Sequence, residues 1–308
     1  MDGRDRRSTA RRAGTGAFRG AHQRQRWPVS GAGTEGGTMS STPSATEQIS
    51  VDECDRFDRD GFVVLEGFLA PSHVQTLRTA LARAIERRRA GSGTPLQVSA
   101  IQEEGNDTRI FHILDDDPLF LDLMDHAPIM PYVRGLLHEK PHFHASDAIW
   151  EQEVRPNGKS GWHMDGFDGG YRSLRPNIPH LQLKIGYLLS DMDEPDQGNL
   201  MLVPGSHRQD REPTADELAG FDTLPGARQI CAGQGTAILF QNAVWHTRGP
   251  ATRPGGQRIL LYYAYELPWM VGNPEHWKYP ATFYNGLSPE RRALFHGFVF
   301  DPPEDRWY

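Results

Sequence analysis

Two ligand-type side chains separated by one residue, His163 and Asp165 in Gly161-Trp162-His163-Met164-Asp165, constrain this chain more than any other stretch. In an extended segment, side chains two apart share a side. A strand over 161–165 therefore points His163 and Asp165 one way and Trp162 and Met164 the other. A third donor stands far downstream, His246 in Ala243-Val244-Trp245-His246. Joining it to the pair demands a fold in which distant strands converge. Two imidazoles and a carboxylate on one face of a divalent ion leave the opposite face open, the arrangement of non-haem Fe(II) oxygenases. With 13 His and 40 acidic residues in the chain, a lone His-x-Asp pair carries little weight, so its surroundings decide.

Those surroundings are β-like. Short apolar runs bounded by Gly and Pro recur through the second half: His142 to Val154 ending at the turn Pro156-Asn157-Gly158, Leu181 to Leu189, Leu200 to Val203, Gly233 to Phe240 and Arg258 to Tyr265. The front half adds a turn at Asp60-Gly61 into a strand through Leu69, and a strand over 108–114. It also carries a helix from Pro71, with Val74, Leu77, Leu81 and Ile85 on one face and an Arg-rich end before Gly91. We read those arginines as a solvated cap on the helix C-terminus. Two more helices are expected around Leu119 to Met124 and Met130 to Leu137. The pattern predicts a mainly β fold, a sandwich or open barrel backed by helices.

Composition removes several function classes. No run of eighteen apolar residues occurs, so a membrane span is not supported. Cys54 and Cys231 stand apart without metal or disulfide spacing, which fits a reducing, cytoplasmic setting. Residues 1–45 are Arg-, Gly- and Ser-rich and read as a disordered extension. Arg6-Arg7 lacks the apolar run of an export signal, an Arg-rich organelle-targeting peptide fits the composition, and our expectation is that Met39 is the true start. From Met1 to Thr38, eight Arg against Asp2, Asp5 and Glu35 give +5, which leaves −12 for the rest of a chain whose net charge is −7. An acidic body is a poor partner for nucleic acid.

Taken together, Asp60-Gly-Phe-Val-Val, Trp162-His-Met-Asp, Leu188-Leu-Ser-Asp191, Pro204-Gly-Ser-His207, Trp245-His246 and Arg258 resemble the phytanoyl-CoA dioxygenase family of Fe(II)/2-oxoglutarate-dependent oxygenases, over roughly residues 55–265. The resemblance implies a double-stranded β-helix (a jelly roll, cupin-like) forming one oxygenase domain over 46–308. It implies Fe(II) held by His163, Asp165 and His246, with 2-oxoglutarate as cosubstrate and Arg258 gripping its far carboxylate. A guanidinium fork suits that dianion through two parallel hydrogen bonds. The expected reaction uses O2, converts 2-oxoglutarate to succinate and CO2, and hydroxylates an unactivated C–H bond of a small-molecule substrate. In halogenating relatives a small residue replaces the carboxylate, so Asp165 points to hydroxylation, with desaturation or ring formation open.

Several positions keep two readings. Arg109 matches a basic residue that contacts the cosubstrate, and reads equally as an exposed strand arginine. Lys184 and Gln182 share a strand face and meet cosubstrate or substrate, or else solvent. Arg248, where relatives carry a hydroxyl residue, either points away or adds a second cation. His112, His142, His144 and His180 read as ordinary polar residues, and His207 as a turn-closing one. Trp162 and Trp245 read as core, while Trp150, Phe167, Tyr171 and Trp269 are candidate pocket walls. The aromatic segment from Trp269 to Tyr308 reads first as packing on the barrel, then as a lid or dimer surface. The rival to an enzyme is a non-catalytic cupin-like binding module; an oxygenase acting on macromolecules is a third reading.

Overall fold

The computed structural model describes residues 49–93, 98–104, 107–154, 159–166, 171–175, 178–252, 256–270, 279 and 281–295. The expectations for residues 1–45, the turn at 156–158, Phe167 and most of the aromatic C-terminal segment lie outside them. Among the described residues no helix is long and apolar enough to cross a membrane.

The chain enters through a helix that sequence patterning passed over, α1 (Val51–Asp60). Its start is built by a capping box: Ser50 Oγ accepts from the Glu53 amide while the Glu53 carboxylate accepts from the Ser50 amide. It stops at Gly61, where φ is +83° and a Cβ would collide with Val244 and His207. Only glycine suits both demands. Strand β1 (Phe62–Leu65) follows, then α2 (Pro71–Arg89), β2 (Ile101–Glu104), β3 (Asp107–Phe111), α3 (Pro118–Met124), α4 (Met130–Leu136), β4 (His142–Glu151) and β5 (Gln182–Leu188). Short strands β6 (Leu200–Leu202), β7 (Arg228–Gln229), β8 (Ala237–Gln241) and β9 (His246–Arg248) lead to β10 (Arg258–Glu266).

Seven strands form an antiparallel sheet in the order β1-β8-β5-β10-β4-β3-β2, and β7-β6-β9 form a second, smaller one. The period-2 alternation of each central strand separates two environments. On β5, Leu183, Ile185 and Tyr187, and on β10, Ile259, Leu261, Tyr263 and Tyr265, face the apolar sides of α2, α3 and α4. The tyrosines satisfy their buried hydroxyls on carbonyls at these helices, Tyr263 on Phe120 O at 2.7 Å and Tyr265 on Met124 O. The opposite faces, with Leu188 and Leu260, meet Leu200 and Leu202 of the small sheet and enclose the interior of the jelly roll. That interior holds the polar residues Lys184 and Arg258.

One expectation for α2 is corrected. Arg88 is fully buried rather than solvated: it donates to Ala100 O, Phe111 O and His112 O and pairs with the equally buried Asp116 carboxylate. Arg87 and Arg89 keep the surface role, on Asp116 O and Glu103.

Candidate metal and cosubstrate site

The 161–165 segment is not a full strand; it touches the small sheet at one antiparallel bridge, His163 to His246. Reciprocal backbone bonds, His163 N to His246 O at 3.0 Å and His246 N to His163 O at 2.9 Å, hold the two residues side by side. Trp162, Met164 and Trp245 point the other way into an apolar cluster, as the alternation predicts. Asp165 joins the histidines, and the three donor atoms lie within 4.8 Å of one another, the one such His/Cys/Asp/Glu group among the described residues.

The proton positions on both rings follow from their partners. His163 Nδ1 lies 2.7 Å from Gly161 O, and His246 Nδ1 lies 2.9 Å from Val244 O. A carbonyl only accepts, so each Nδ1 carries the hydrogen and each Nε2 keeps its lone pair. Those Nε2 atoms face the carboxylate, at 3.8 Å from Asp165 Oδ1 for His163 and 3.5 Å from Oδ2 for His246. Asp165 Oδ2 is buried without a hydrogen-bond donor, although the Lys184 ammonium is 3.1 Å away. Three lone pairs thus converge with no proton between them, which fits a divalent ion.

Electrostatics keep the donors in ligating form. Burial alone would raise the Asp165 carboxyl, but the Lys184 ammonium and the two imidazoles outweigh it and hold it well below the usual carboxylate range. Burial pushes His246 down to about 4 against the pull of Asp165, so its ring is neutral near neutral pH. Lys184, buried yet paired with Asp165, is raised above the ordinary lysine value. The His163 side chain is 53% exposed against 5% for His246, so the open side of the cluster lies at His163.

A cavity of about 190 Å³ opens beside Asp165, lined by His144, Asp147, Gln182, Lys184, Asn242 and Tyr262 among others. Arg258 lies at the other end of the interior, in a smaller space whose walls include Gly186, Leu188, Leu260 and Tyr262, so Tyr262 borders both. Its Nε donates 2.8 Å to Gly198 O, and burial pulls the guanidinium below its usual value. The neighbouring Arg248 turns to the buried Glu151 carboxylate, at 2.8 and 3.0 Å. It therefore brings a second cation beside Arg258 already paired with an anion.

Of the other expected residues, Lys184 reaches the cluster directly. Arg109 does not line the cavity; it binds Asp147 at 2.8 Å and stands one side chain behind it. His144, read from sequence as ordinary, lines the cavity and pairs with the fully buried Glu266 at 2.7 Å. No sequence spacing signals a partner 122 positions away. Trp150 packs on the helix side, Trp269 is largely exposed and Tyr171 lies against Gly166, so none of these three lines the cavity.

Comparison with known proteins gives the same class. A jelly roll of this kind is shared with HygX from Streptomyces hygroscopicus, solved with nickel, 2-oxoglutarate and hygromycin B (TM-score 0.58, 17% identity, 72% of this chain and 89% of HygX). It is shared also with EctD from S. alaskensis, solved with 2-oxoglutarate and 5-hydroxyectoine (TM-score 0.57, 24% identity, 74% of this chain and 80% of EctD). In sequence the chain is 26% identical over 258 residues to the ectoine dioxygenase of Sphingopyxis alaskensis, covering 74% of this chain and 82% of the relative. It is 29% identical over 169 residues to that of Bordetella bronchiseptica, a match spanning about half of each protein. The protein is a 2-oxoglutarate-dependent dioxygenase that uses iron. The phytanoyl-CoA dioxygenase (PhyH) profile matches residues 57–257, and the chain belongs to that family.

Proposed function

We propose that His163, Asp165 and His246 hold the ferrous ion, that Arg258 binds the far carboxylate of 2-oxoglutarate, and that the cavity beside Asp165 receives a small molecule whose unactivated C–H bond is hydroxylated. The observation that carries this reading is the convergence of two lone-pair Nε2 atoms on a buried carboxylate oxygen that no group hydrogen-bonds. With iron bound, 2-oxoglutarate and O2 supply the oxidising power, yielding succinate and CO2.

Each residue of this chain then has a task. Gly161 O and Val244 O orient the two rings by taking the Nδ1 protons. Lys184, 3.2 Å from Oδ1 and 3.1 Å from Oδ2, keeps Asp165 ionised and so in the form that binds a cation. Arg258, dry and cationic, balances the far carboxylate of the cosubstrate among apolar neighbours that exclude water. A cavity of about 190 Å³ suits a substrate of small-metabolite size, in keeping with relatives named for ectoine.

The test is anaerobic addition of Fe(II) and 2-oxoglutarate. The weak visible charge-transfer band of the chelate is expected with the natural chain and absent in His246→Ala, which should also lose iron and succinate release. A His246→Ala protein that keeps both the band and turnover refutes the ligand assignment.

A further inference from the structure

Tyr263 and Tyr265 of β10 point to the helices and close their hydroxyls on carbonyls there. Tyr262 points the other way, into the interior, and is half-buried. Among the described residues its hydroxyl has no hydrogen-bond partner, and it is not one of the enclosed polar atoms, so it meets open space. The ring lies against Gly186, the residue opposite it on β5, where a Cβ would come 3.0 Å from Tyr262 Cε1. The Lys184 ammonium, which also contacts Asp165, stands 5.0 Å from the ring centroid. Tyr262 is thus a wall common to the cavity beside Asp165 and the space at Arg258.

The space at Arg258 is poor in polar groups. Its described walls are Gly186 and apolar side chains such as Leu188, Ile238 and Leu260, and the two side chains on it that can donate a hydrogen bond are Arg258 and Tyr262. A carboxylate entering here has about four lone-pair sites to satisfy, and a charge left short of hydrogen bonds in dry surroundings is costly. Arg258 already gives its Nε to Gly198 O at 2.8 Å, which leaves the terminal NH2 groups. The other donor on the walls is the Tyr262 O–H. Burial disfavours the charge on Arg258 and on Lys184, whereas a negative charge on the Tyr262 oxygen would favour both, so that oxygen is within electrostatic reach of each. We infer that Tyr262 is a second anchor of the cosubstrate, its O–H donating to the carboxylate that the Arg258 guanidinium holds. The inference rests on the reading of Arg258 given above and adds a residue to it. A Tyr262 that serves only as a wall, or whose hydroxyl serves the primary substrate, predicts a different result.

The experiment titrates the Fe(II)-loaded full chain anaerobically with 2-oxoglutarate and, separately, with pyruvate, which has the same chelating head and no far carboxylate. Tyr262→Phe keeps the ring and removes only the O–H. In this variant half-saturation of the chelate band is expected to need about tenfold more 2-oxoglutarate, with the pyruvate requirement and the iron content unchanged. Equal shifts for the two keto acids, or none for either, overturn the inference. Arg258→Lys, measured alongside, separates it from the reading beneath it. A preference for 2-oxoglutarate over pyruvate that falls in Arg258→Lys and not in Tyr262→Phe refutes the role of Tyr262 alone. One that survives in Arg258→Lys refutes the reading of Arg258. A natural chain without the band refutes the metal reading, and calorimetric titration with 2-oxoglutarate then tests Tyr262→Phe against the natural chain for the same loss.

Discussion

Lys184 and Arg258 sit on the same inward surface of neighbouring strands, yet their surroundings give them different work. Lys184 is 3.1 Å from a carboxylate that has two imidazoles on its other side, so its charge is spent locally. Arg258 has a carbonyl at 2.8 Å on Nε and apolar walls around it, and Arg248 beside it is already neutralised by Glu151. A lysine at 258 would keep the charge but lose the two-pronged geometry. Arg258→Lys is therefore expected to raise the 2-oxoglutarate concentration that half-saturates the chelate band by about tenfold or more, with iron content unchanged. At this scale the convergence of His163, Asp165 and His246 was legible, because a His-x-Asp alternation and a distant His-bearing segment are written in the chain. The amide of Asn242 was not: its oxygen is held by the backbone N–H groups of Leu181 and Gln182, which no spacing announces. His144 was hidden for the same kind of reason, its partner Glu266 being brought to it by the β4–β10 register.

Helices and strands show where patterning works and where it stops. The face of α2 and the positions of β4, β5, β8 and β10 follow from alternation and apolar spacing, and the structure keeps them within a few residues. Helix α1 was missed since it buries only Phe57, although Ser50-x-x-Glu53 is a legible capping box. The two-residue β7 and three-residue β9 are too short to alternate, and pairing across the small sheet creates them. The end of α2 shows how tertiary packing overrides a cap. With Arg88 removed, the Asp116 carboxylate stays buried and unpaired, so Arg88→Met is expected to cost about 3–5 kcal/mol in urea unfolding. Adding Asp116→Leu should recover the share due to the unpaired carboxylate and leave the loss at the carbonyls of Ala100, Phe111 and His112 that Arg88 held. His180, just before β5, gives the molecule a pH limb. Burial against Phe57 and its neighbours pushes the imidazole down to about 4 from 6.5. The unfolded chain then takes the proton first, so this contribution is complete above the upper value and is lost as pH falls through the window to the lower one. The loss amounts to at most roughly 3 kcal/mol. His180→Leu should flatten that part of the stability profile, measured by urea unfolding above and below the window.

Across the described residues of the oxygenase domain, a two-faced sheet has helices on one side and a polar interior on the other, closed by a small second sheet. The phytanoyl-CoA dioxygenase family likeness was legible because its marks lie in order along the chain, and the profile match over 57–257 bears it out. The substrate was not, since the cavity wall is assembled from β4, β5, β10 and the chain around 165 and 242. The reciprocal main-chain bonds between residues 163 and 246 have a consequence for repair. The seat is framed by peptide groups, so deleting the ring in His163→Gly removes one donor and leaves the frame standing, with its gap open to solvent. Free imidazole added from solution should then dock in the gap and restore iron retention and succinate release, as a replacement part fits a socket whose walls were never made from the part that was lost.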